Sequence, residues 1–443
     1  MSGTITKWLK RILLFLGLLV VPLIVFYLLL LATNGKLGGV VALVISLIIL
    51  GIWIWLLHRK QHNRKRTMYV TAMTLIPTAF CAYLCIPVAS RSLPEQQLFD
   101  AAPTQYWQLS TGSKIAYYYL PAATKQPEKA TILFLHGGPG ASISSDHIDY
   151  FKRFTEEGFE VYLYDQAGSG RSDLLNKSEY SHNRNVDDLA EIVQHIDSDN
   201  IALIGHSYGG TLAASAVADN RISPKLSNVV FSEPGPLPMD YTQLDQYLSE
   251  HVPSSDYQNP RKPSSETPRA ILTPRILLGV FALPRGNEFL PQEEATNVFE
   301  PDDIQSMISY SYCPDEQEPP APITEDSGVR LNPVANALIS SSQSDDGNAF
   351  NLGKFETANV PGMLLLGECS YIFRRDQLAF LTAYSQMERV QYIENFGHSL
   401  LHSFEDGRDA PFESILAFLE DKPAPLPNYP RKEDLKEFVE ADK

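Results

Sequence analysis

The stretch that decides the fold is Ile201-Ala202-Leu203-Ile204-Gly205-His206-Ser207-Tyr208-Gly209-Gly210. Four apolar residues run into a Gly-His-Ser-Tyr-Gly turn, and the small-residue run 211–217 that follows is compatible with a helix. We interpret the pattern as a buried strand, a sharp turn and a helix, with Ser207 in a strained conformation at the tip of the turn. A serine hydroxyl is a poor nucleophile until a base takes its proton. The rest of the chain therefore has to supply a base, an orienting acid and donors for an oxyanion.

The chain has 443 residues, a length that suits one large domain or two. Its charged residues divide it into two parts of different composition. Residues 1–94 contain ten Lys or Arg and no Asp or Glu, so the remaining 349 residues carry all 52 acids and 26 bases. The net charge is −16 for the whole chain and −26 for that second part. Phosphate repels an acidic body of this kind, so we exclude nucleic acid as a partner.

The first ninety residues contain three uncharged apolar runs, at about 12–31, 37–57 and 68–89. At ~1.5 Å rise per residue, about twenty residues cross a hydrocarbon layer of ~30 Å. We therefore predict an anchor over residues 1–90 with about three transmembrane helices. The third run is softer, because it contains threonines and two prolines, and a buried core helix is its alternative interpretation.

Lysine and arginine cluster before the first run and between the second and third. These residues are Lys7, Lys10, Arg11, Arg59, Lys60, Arg64, Lys65 and Arg66. The positive-inside rule places both clusters, and with them the N-terminus, in the cytoplasm. Three spans then put the catalytic body on the periplasmic or extracellular side, whereas two spans would leave it in the cytoplasm.

The body alternates strand-like and helix-like segments over 105–236 and again over 358–420, and glycine-rich turns follow the strands. This alternation predicts an α/β fold with a mostly parallel sheet, helices on both faces and chemistry at the carboxyl ends of the strands. Residues 237–357 break the alternation and are rich in Pro, Gln, Asp and Ser, which predicts an inserted cap. Residues 421–443 form an acidic tail.

Four cysteines are distributed between the two parts of the chain. Cys81 and Cys85 lie in the apolar part, Cys313 and Cys369 lie in the body, and no C-x-x-C pattern is present. A Cys313–Cys369 disulfide and two unpaired thiols are both open interpretations. We expect neither a metal nor an organic cofactor.

Four motifs occur in a fixed order along the body. They are His-Gly-Gly-Pro-Gly from His136, Asp-Gln-Ala-Gly-Ser-Gly-Arg-Ser from Asp165, Gly-His-Ser-Tyr-Gly from Gly205 and Gly-His from Gly397. Over nearly all of 105–420 the body thereby resembles an α/β-hydrolase of the proline iminopeptidase branch. The resemblance implies that the Asp165 motif shapes the floor of the site. Ala167 stands where the family usually has arginine, so any contact made by that arginine is lost.

We predict the base and the oxyanion donors from the positions of residues relative to the ends of the predicted strands. His398 lies at the end of a late strand, downstream of the nucleophile, which is the chain order expected for the base of this fold. An oxyanion needs two backbone donors aimed at one point. We predict the N–H groups of Gly138 and Tyr208, because Pro139 has none to offer. His206 is predicted to pack under the turn.

The acid is where the chain departs from the family. The resemblance implies an aspartate four positions after Leu366, in a Gly-x-x-Asp pattern, and Ser370 stands there. We favour Glu233 at the end of the preceding strand. In some related hydrolases, such as the haloalkane dehalogenases, the acid is a glutamate at this position. Glu368 in the usual loop is the alternative, and Asp376 on the next helix is less favoured. A Ser–His dyad or an inactive protein also stays open.

We interpret the chain as a membrane-anchored serine hydrolase that forms an acyl-enzyme, and the resemblance favours removal of an N-terminal residue from small peptides. Such a reaction needs a carboxylate to hold the free amine, and we assign none of the acids of the predicted cap: Glu293, Glu294, Glu300, Asp302 and Asp303. A carboxylesterase or lipase for small acyl esters is the first alternative, because Tyr208 stands where iminopeptidases typically have tryptophan. A non-catalytic binding protein is the second, because of Ser370. The expected partners are the peptide or ester substrate and the lipid bilayer.

Overall fold

The computed structural model describes residues 2–34, 37–58, 64–87, 102–251, 273–299, 301–309, 311–313, 327–343, 350–402, 409–431 and 434. Part of the predicted basic loop (59–63), Glu300 and part of the acidic tail (432–433 and 435–443) lie outside the described residues. The chain divides into two compact units. The anchor unit is Met1–Ser92 with Arg269–Val298, and the hydrolase unit is Leu93–Pro268 with Phe299–Lys443.

Helices and strands are numbered in chain order. The helices are α1 (Ser2–Ala32), α2 (Gly38–His58), α3 (Arg64–Leu84), α4 (Ser145–Glu156), α5 (His182–His195), α6 (Tyr208–Val217), α7 (Thr242–His251), α8 (Pro274–Leu277), α9 (Gln292–Thr296), α10 (Pro301–Ser309), α11 (Pro333–Ser342), α12 (Leu352–Thr357), α13 (Arg374–Ala383) and α14 (Ala410–Leu419). The strands are β1 (Gln105–Gln108), β2 (Lys114–Leu120), β3 (Thr131–Leu135), β4 (Glu160–Tyr164), β5 (Ile201–His206), β6 (Leu226–Ser232), β7 (Gly362–Gly367) and β8 (Met387–Ile393).

The hydrolase unit is built on one sheet of eight strands in the order β1-β2-β4-β3-β5-β6-β7-β8. The pairs β1–β2 and β2–β4 are antiparallel, and every later pair is parallel. Every residue of β3, β5 and β7 is buried, as expected for parallel strands covered on both faces. The predicted α/β-hydrolase fold is confirmed, and the carboxyl ends of β3, β4, β5, β6 and β8 carry the motifs and the candidate acid that the sequence singled out.

The anchor unit contains α1 to α3 together with the insertion that holds α8 and α9. Among the residues that the structure describes, one helical stretch, Gly38–Trp55, has the length and apolar composition to cross a membrane. Leu16–Ala32 and Met68–Leu84 are apolar but shorter, so the predicted count of about three spans is not reached by this criterion. The predicted cap, 237–357, is divided between the two units, and its action as a cap stays a prediction.

Candidate active site

The nucleophile elbow joins β5 to α6 at Ser207. Its backbone has φ 57° and ψ −122°, a strained combination for a residue with a side chain. A Cβ on Gly205 would lie 2.2 Å from the carbonyl oxygen of Gly209, and a Cβ on Gly209 would lie 2.0 Å from that of Leu135. The two glycines therefore allow the close crossing of strand and helix that holds Ser207 at the tip.

Glu233 and His398 meet at the same end of the sheet. Glu233 directly follows β6 with φ 46° and is fully buried. Its Oε2 lies 3.2 Å from Nδ1 of His398, which is itself buried. An Nδ1–H that donates to a carboxylate leaves Nε2 as the proton acceptor of the neutral ring. The arrangement can therefore orient a general base.

The Glu233 carboxylate has a full set of donors. Oε1 accepts from the backbone N–H of Gly367 at 2.6 Å, and Oε2 accepts from Nε2 of Gln377 at 2.9 Å and from the hydroxyl of Ser370. Arg374 donates to Oε1 of Gln377 at 2.7 Å, which turns the amide NH₂ toward Glu233. Donors of this kind stabilise a buried carboxylate in its charged form. Ser370, at the position where the family has its acid, thus donates a hydrogen bond to Glu233, the favoured candidate acid.

The other two candidate acids have different partners. Glu368 accepts a hydrogen bond from the backbone N–H of Asn395 at 2.8 Å. Asp376 pairs with Arg375 at 3.3 Å, and burial raises the pKa of its carboxyl. Of the three candidates, Glu233 is the carboxylate that the structure brings to His398.

The predicted oxyanion loop lies against Ser207, the candidate nucleophile. A Cβ on Gly137 would come within 2.8 Å of the Ser207 Cβ, so the loop approaches as closely as a glycine permits. Gly138 has φ +117°, a conformation that favours glycine. Tyr208 is the first residue of α6, so its N–H has no acceptor inside the helix. The loop that carries Gly138 therefore approaches Ser207, and Tyr208 follows Ser207 in the chain.

Asp165 holds the turn below this loop. Its fully buried carboxylate accepts from the N–H groups of Ile143 at 2.7 Å and Arg171 at 3.0 Å and from the Tyr118 hydroxyl at 2.9 Å. A Cβ on Gly170 would lie 2.2 Å from the carboxylate, which explains the glycine of the motif. Burial raises the pKa of Asp165. These contacts give the floor role implied by the resemblance a physical basis.

Two asparagines near the start of α11 support the loop and were missed by sequence reasoning. Nδ2 of Asn336 donates to the carbonyl of Pro139 at 2.7 Å. Nδ2 of Asn332 donates to the carbonyl of Gly168 at 2.8 Å, and its backbone N–H donates to that of Gly140 at 2.8 Å. The available signal was an Asn-x-x-x-Asn spacing, which places both side chains on one face of a helix.

The histidines beside the site are buried and neutral. Nδ1 of His136 contacts the carbonyl of Gly137 at 2.8 Å while Nε2 accepts from the Gln166 N–H at 3.0 Å, and burial lowers the pKa of the ring. His206 packs with its centroid 4.8 Å from that of His398. Burial, followed by the charge that His398 can carry, lowers the pKa of His206 well below its ordinary value. A neutral His206 does not oppose an imidazolium on His398.

A disulfide joins Cys313 to Cys369, with their Cα atoms 5.1 Å apart. Of the two open interpretations of these cysteines, the disulfide is the one present. Cys369 immediately precedes Ser370, and the carbonyl of Ser311 accepts from the N–H of Ser399 at 3.0 Å. The segment 311–313 is therefore fixed to both loops that carry the groups around Glu233 and His398.

Comparisons with known proteins agree with this geometry. Residues 130–302 match the family model described as alpha/beta hydrolase fold. The proline iminopeptidase of Thermoplasma volcanium is 36% identical over 98 residues, 22% of this chain and 32% of that protein. The proline iminopeptidase of Elizabethkingia meningoseptica is 30% identical over 152 residues, 30% of this chain and 49% of that protein. The chain thus spans about a third to a half of the length of these curated relatives.

A solved structure of proline iminopeptidase from Mycobacterium smegmatis aligns with 72% of this chain and 98% of its own, with 16% identity and a TM-score of 0.42. A similarity at that level carries no information about function. The sheet topology, the turn at Ser207 and the match over 130–302 give this chain the α/β-hydrolase fold. Its sequence is similar to proline iminopeptidases over part of their length, which confirms the predicted resemblance and supports the prediction of a hydrolase.

Proposed function

We propose that this chain is a membrane-anchored serine hydrolase of proline iminopeptidase type, with Ser207 as nucleophile, His398 as base and Glu233 as acid. The contact between Glu233 Oε2 and His398 Nδ1 at 3.2 Å carries the proposal, and the N–H of the strained Ser207 donates to the carbonyl of Ser232, the residue before Glu233, at 3.0 Å. It supplies the acid that Ser370 cannot supply, because a hydroxyl has no charge to stabilise an imidazolium.

In the proposed acylation step, Ser207 Oγ attacks the substrate carbonyl carbon while Nε2 of His398 takes the hydroxyl proton. The negative charge that develops on the carbonyl oxygen is received by the N–H groups of Gly138 and Tyr208. Glu233 stabilises the imidazolium through Nδ1–H. His398 then returns the proton to the leaving amine, and the C–N bond breaks to give an acyl-enzyme.

Deacylation uses the same groups with water as the nucleophile. His398 removes a proton from water, the hydroxide oxygen bonds to the acyl carbon, and the same two N–H groups receive the second oxyanion. Collapse of this intermediate breaks the ester bond and returns the proton from His398 to Ser207 Oγ. The cycle consumes one water and releases one carboxylic acid.

The relatives' names favour an N-terminal proline residue as the acyl part of the substrate. A free amine of this kind is best bound by a carboxylate. Among the described acids of the predicted cap, Glu294 is committed to a buried pair with Arg275 at 2.6 Å in the anchor unit, so we do not assign it to the amine. An esterase of small acyl esters is the second candidate, because Tyr208 stands in the elbow where tryptophan is typical of iminopeptidases.

The anchor is proposed to cross the membrane three times, through α1, α2 and α3. Large apolar side chains are exposed on all three helices, among them Leu28 (56%), Ile48 (57%) and Ile76 (60%), and acyl chains would cover such a surface. The Cys313–Cys369 disulfide supports a periplasmic or extracellular hydrolase unit, because disulfides persist in oxidising compartments. Both observations agree with a cytoplasmic N-terminus.

Fluorophosphonate labelling of the detergent-solubilised full chain tests the nucleophile. We expect labelling of the wild type and none of Ser207→Ala at equal folded concentration. Hydrolysis of a prolyl arylamide against a p-nitrophenyl acyl ester then separates the two candidate substrates. Absence of labelling in folded wild type would refute the serine mechanism and leave the non-catalytic binding protein.

A further inference from the structure

The insertion within the anchor unit, Arg269–Val298, contacts the carboxyl-terminal ends of helices α1 and α3. Nδ2 of Asn287 donates to the carbonyl of Leu30 at 3.0 Å, and Nη1 of Arg275 donates to that of Leu84 at 2.8 Å. These carbonyls belong to the last turns of α1 and α3, where helix geometry leaves C=O groups without donors. The insertion therefore completes the hydrogen bonding of two helix ends.

Buried polar contacts hold the insertion in one arrangement. Arg275 forms a bidentate pair with Glu294 at 2.6 and 2.8 Å and is only 5% exposed. Asn34, just beyond α1, donates to the carbonyl of Gly286 at 3.2 Å and accepts from the N–H of Glu288 at 3.0 Å. A bidentate buried pair fixes geometry, and its loss leaves an uncompensated charge. The segment is thus a built part of the anchor unit.

The hydrogen bonds also set the depth of the segment along α1. The Tyr27 hydroxyl donates to the carbonyl of Ala282 at 2.8 Å. Tyr27 lies five residues before Ala32, the end of α1, which is about 8 Å along the helix axis at the α-helical rise. The five-residue π-helix Leu278–Ala282 therefore lies beside the last turns of α1.

The side chains that the segment exposes at this depth are apolar. Phe281 is 67% exposed and Leu277 is 37% exposed, although most apolar residues around them are buried. Ile24, Leu28 and Leu31 of α1 are exposed as well, at 51%, 56% and 42%. The apolar surface of α1 thus continues onto the insertion, and exposed Arg285 follows four residues after Phe281. Apolar side chains followed by a basic one are typical of segments that lie in a membrane interface.

We propose that residues 273–286 form an interfacial element that inserts Leu277 and Phe281 among the acyl chains of a phospholipid bilayer, with Arg285 at the level of the phosphates. The inference rests on the proposed membrane anchor and extends it to a segment from the middle of the hydrolase sequence. The partner surface is the lipid headgroup and upper acyl region, because continuity with α1 places the exposed face there.

Photo-cross-linking in proteoliposomes of phosphatidylcholine and phosphatidylglycerol tests the proposal. The full chain carries benzoyl-phenylalanine in place of Phe281, of Ile48 in α2, or of Tyr106 in the hydrolase unit, which are 67%, 57% and 47% exposed. We expect lipid adducts at positions 281 and 48 and only background at 106, as read by mass spectrometry.

The controls separate the inference from the anchor on which it rests. Adducts at 48 with background at 281 would overturn the interfacial element and leave the anchor in place. Background at both positions would overturn the anchor and the element together. Adducts at 281 to protein in place of lipid would show that a protein surface covers Phe281 and would also overturn the proposal. Fluorophosphonate labelling of the same samples reports the serine mechanism independently.

Discussion

Two buried carboxylates stand at strand ends of the same sheet, Asp165 after β4 and Glu233 after β6. Both are fully buried, and both accept several hydrogen bonds. The partners of Asp165 are two backbone N–H groups and the hydroxyl of Tyr118. The partners of Glu233 are one backbone N–H, two side-chain donors and the ring of His398.

The partners decide the role that each carboxylate can have. Backbone N–H groups do not change charge, and burial raises the pKa of the Tyr118 hydroxyl, so the bonds of Asp165 fix the shape of the loops from Ile143 and Arg171. An imidazole changes charge when it accepts a proton, so the bond from His398 to Glu233 strengthens when the base becomes protonated. A buried carboxylate at a strand end is therefore a candidate acid only when a group that changes charge near neutral pH, such as an imidazole, contacts it.

The largest effect should follow from removing the charge of Glu233. We expect Glu233→Gln to lower kcat/KM by about 10⁴-fold, as loss of the orienting carboxylate does in serine hydrolases. The matched variant Glu368→Gln removes a carboxylate that binds Asn395 and should retain near wild-type kcat/KM. Steady-state hydrolysis and circular dichroism of both variants give the comparison. A large loss in Glu368→Gln with little change in Glu233→Gln would reverse the assignment of the acid.

The sequence predicted the parts of the site that local patterns determine. The turn at Ser207, the loop at Gly138, the candidate base His398 and the candidate acid Glu233 each lie at the end of a strand recognisable from its apolar run. Parallel strands bring their carboxyl ends to one edge, so the order along the chain was enough to bring these residues together.

The sequence did not predict groups that depend on how helices approach this edge. Gln377 and Arg374 lie on α13, and Asn336 lies on α11, and each reaches the site through tertiary packing that a single sequence does not encode locally. The membership of Arg269–Val298 in the anchor unit is a second example. Its helices are too short, at four and five residues, for their periodicity to show which surface they cover.

The next largest effect should be on stability and should fall on the other carboxylate. In Asp165→Asn the amide NH₂ opposes an N–H or O–H donor, so we expect a loss of about 3 kcal/mol in the free energy of unfolding. Because the catalytic groups keep their charges, kcat/KM of the folded fraction should change far less than in Glu233→Gln. Urea unfolding of the full chain in detergent and active-site titration separate these quantities. A fall in kcat/KM per labelled site as large as that of Glu233→Gln would erase the distinction between the two carboxylates.

Moving the acid back to the family's position sharpens the comparison further. In the double variant Glu233→Gln, Ser370→Asp the new carboxylate takes the place of a hydroxyl that already contacts Glu233. We expect it to recover about 10²-fold of the lost kcat/KM, a partial rescue because loops built around one acid hold another less well. The control is Ser370→Asp alone, in which two adjacent carboxylates repel and activity falls. No recovery in a folded double variant would show that the position after β7 is closed to an acid in this chain.

The smallest effect is expected at the predicted oxyanion loop. Asn336 holds this loop through a neutral hydrogen bond to a backbone carbonyl, which, like the backbone N–H groups bound by Asp165, does not change charge. Asn336→Ala removes the hydrogen bond to the carbonyl of Pro139 and frees the loop that carries Gly138. One neutral hydrogen bond contributes about 1 kcal/mol, so we expect kcat to fall by roughly tenfold at most, with KM nearly unchanged, because the oxyanion exists in the transition state and not in the bound substrate. Ser341→Ala, an exposed change later in α11, should leave both constants as they are. A rise in KM at constant kcat would place Asn336 in substrate binding, and the support of the loop would then rest on Asn332.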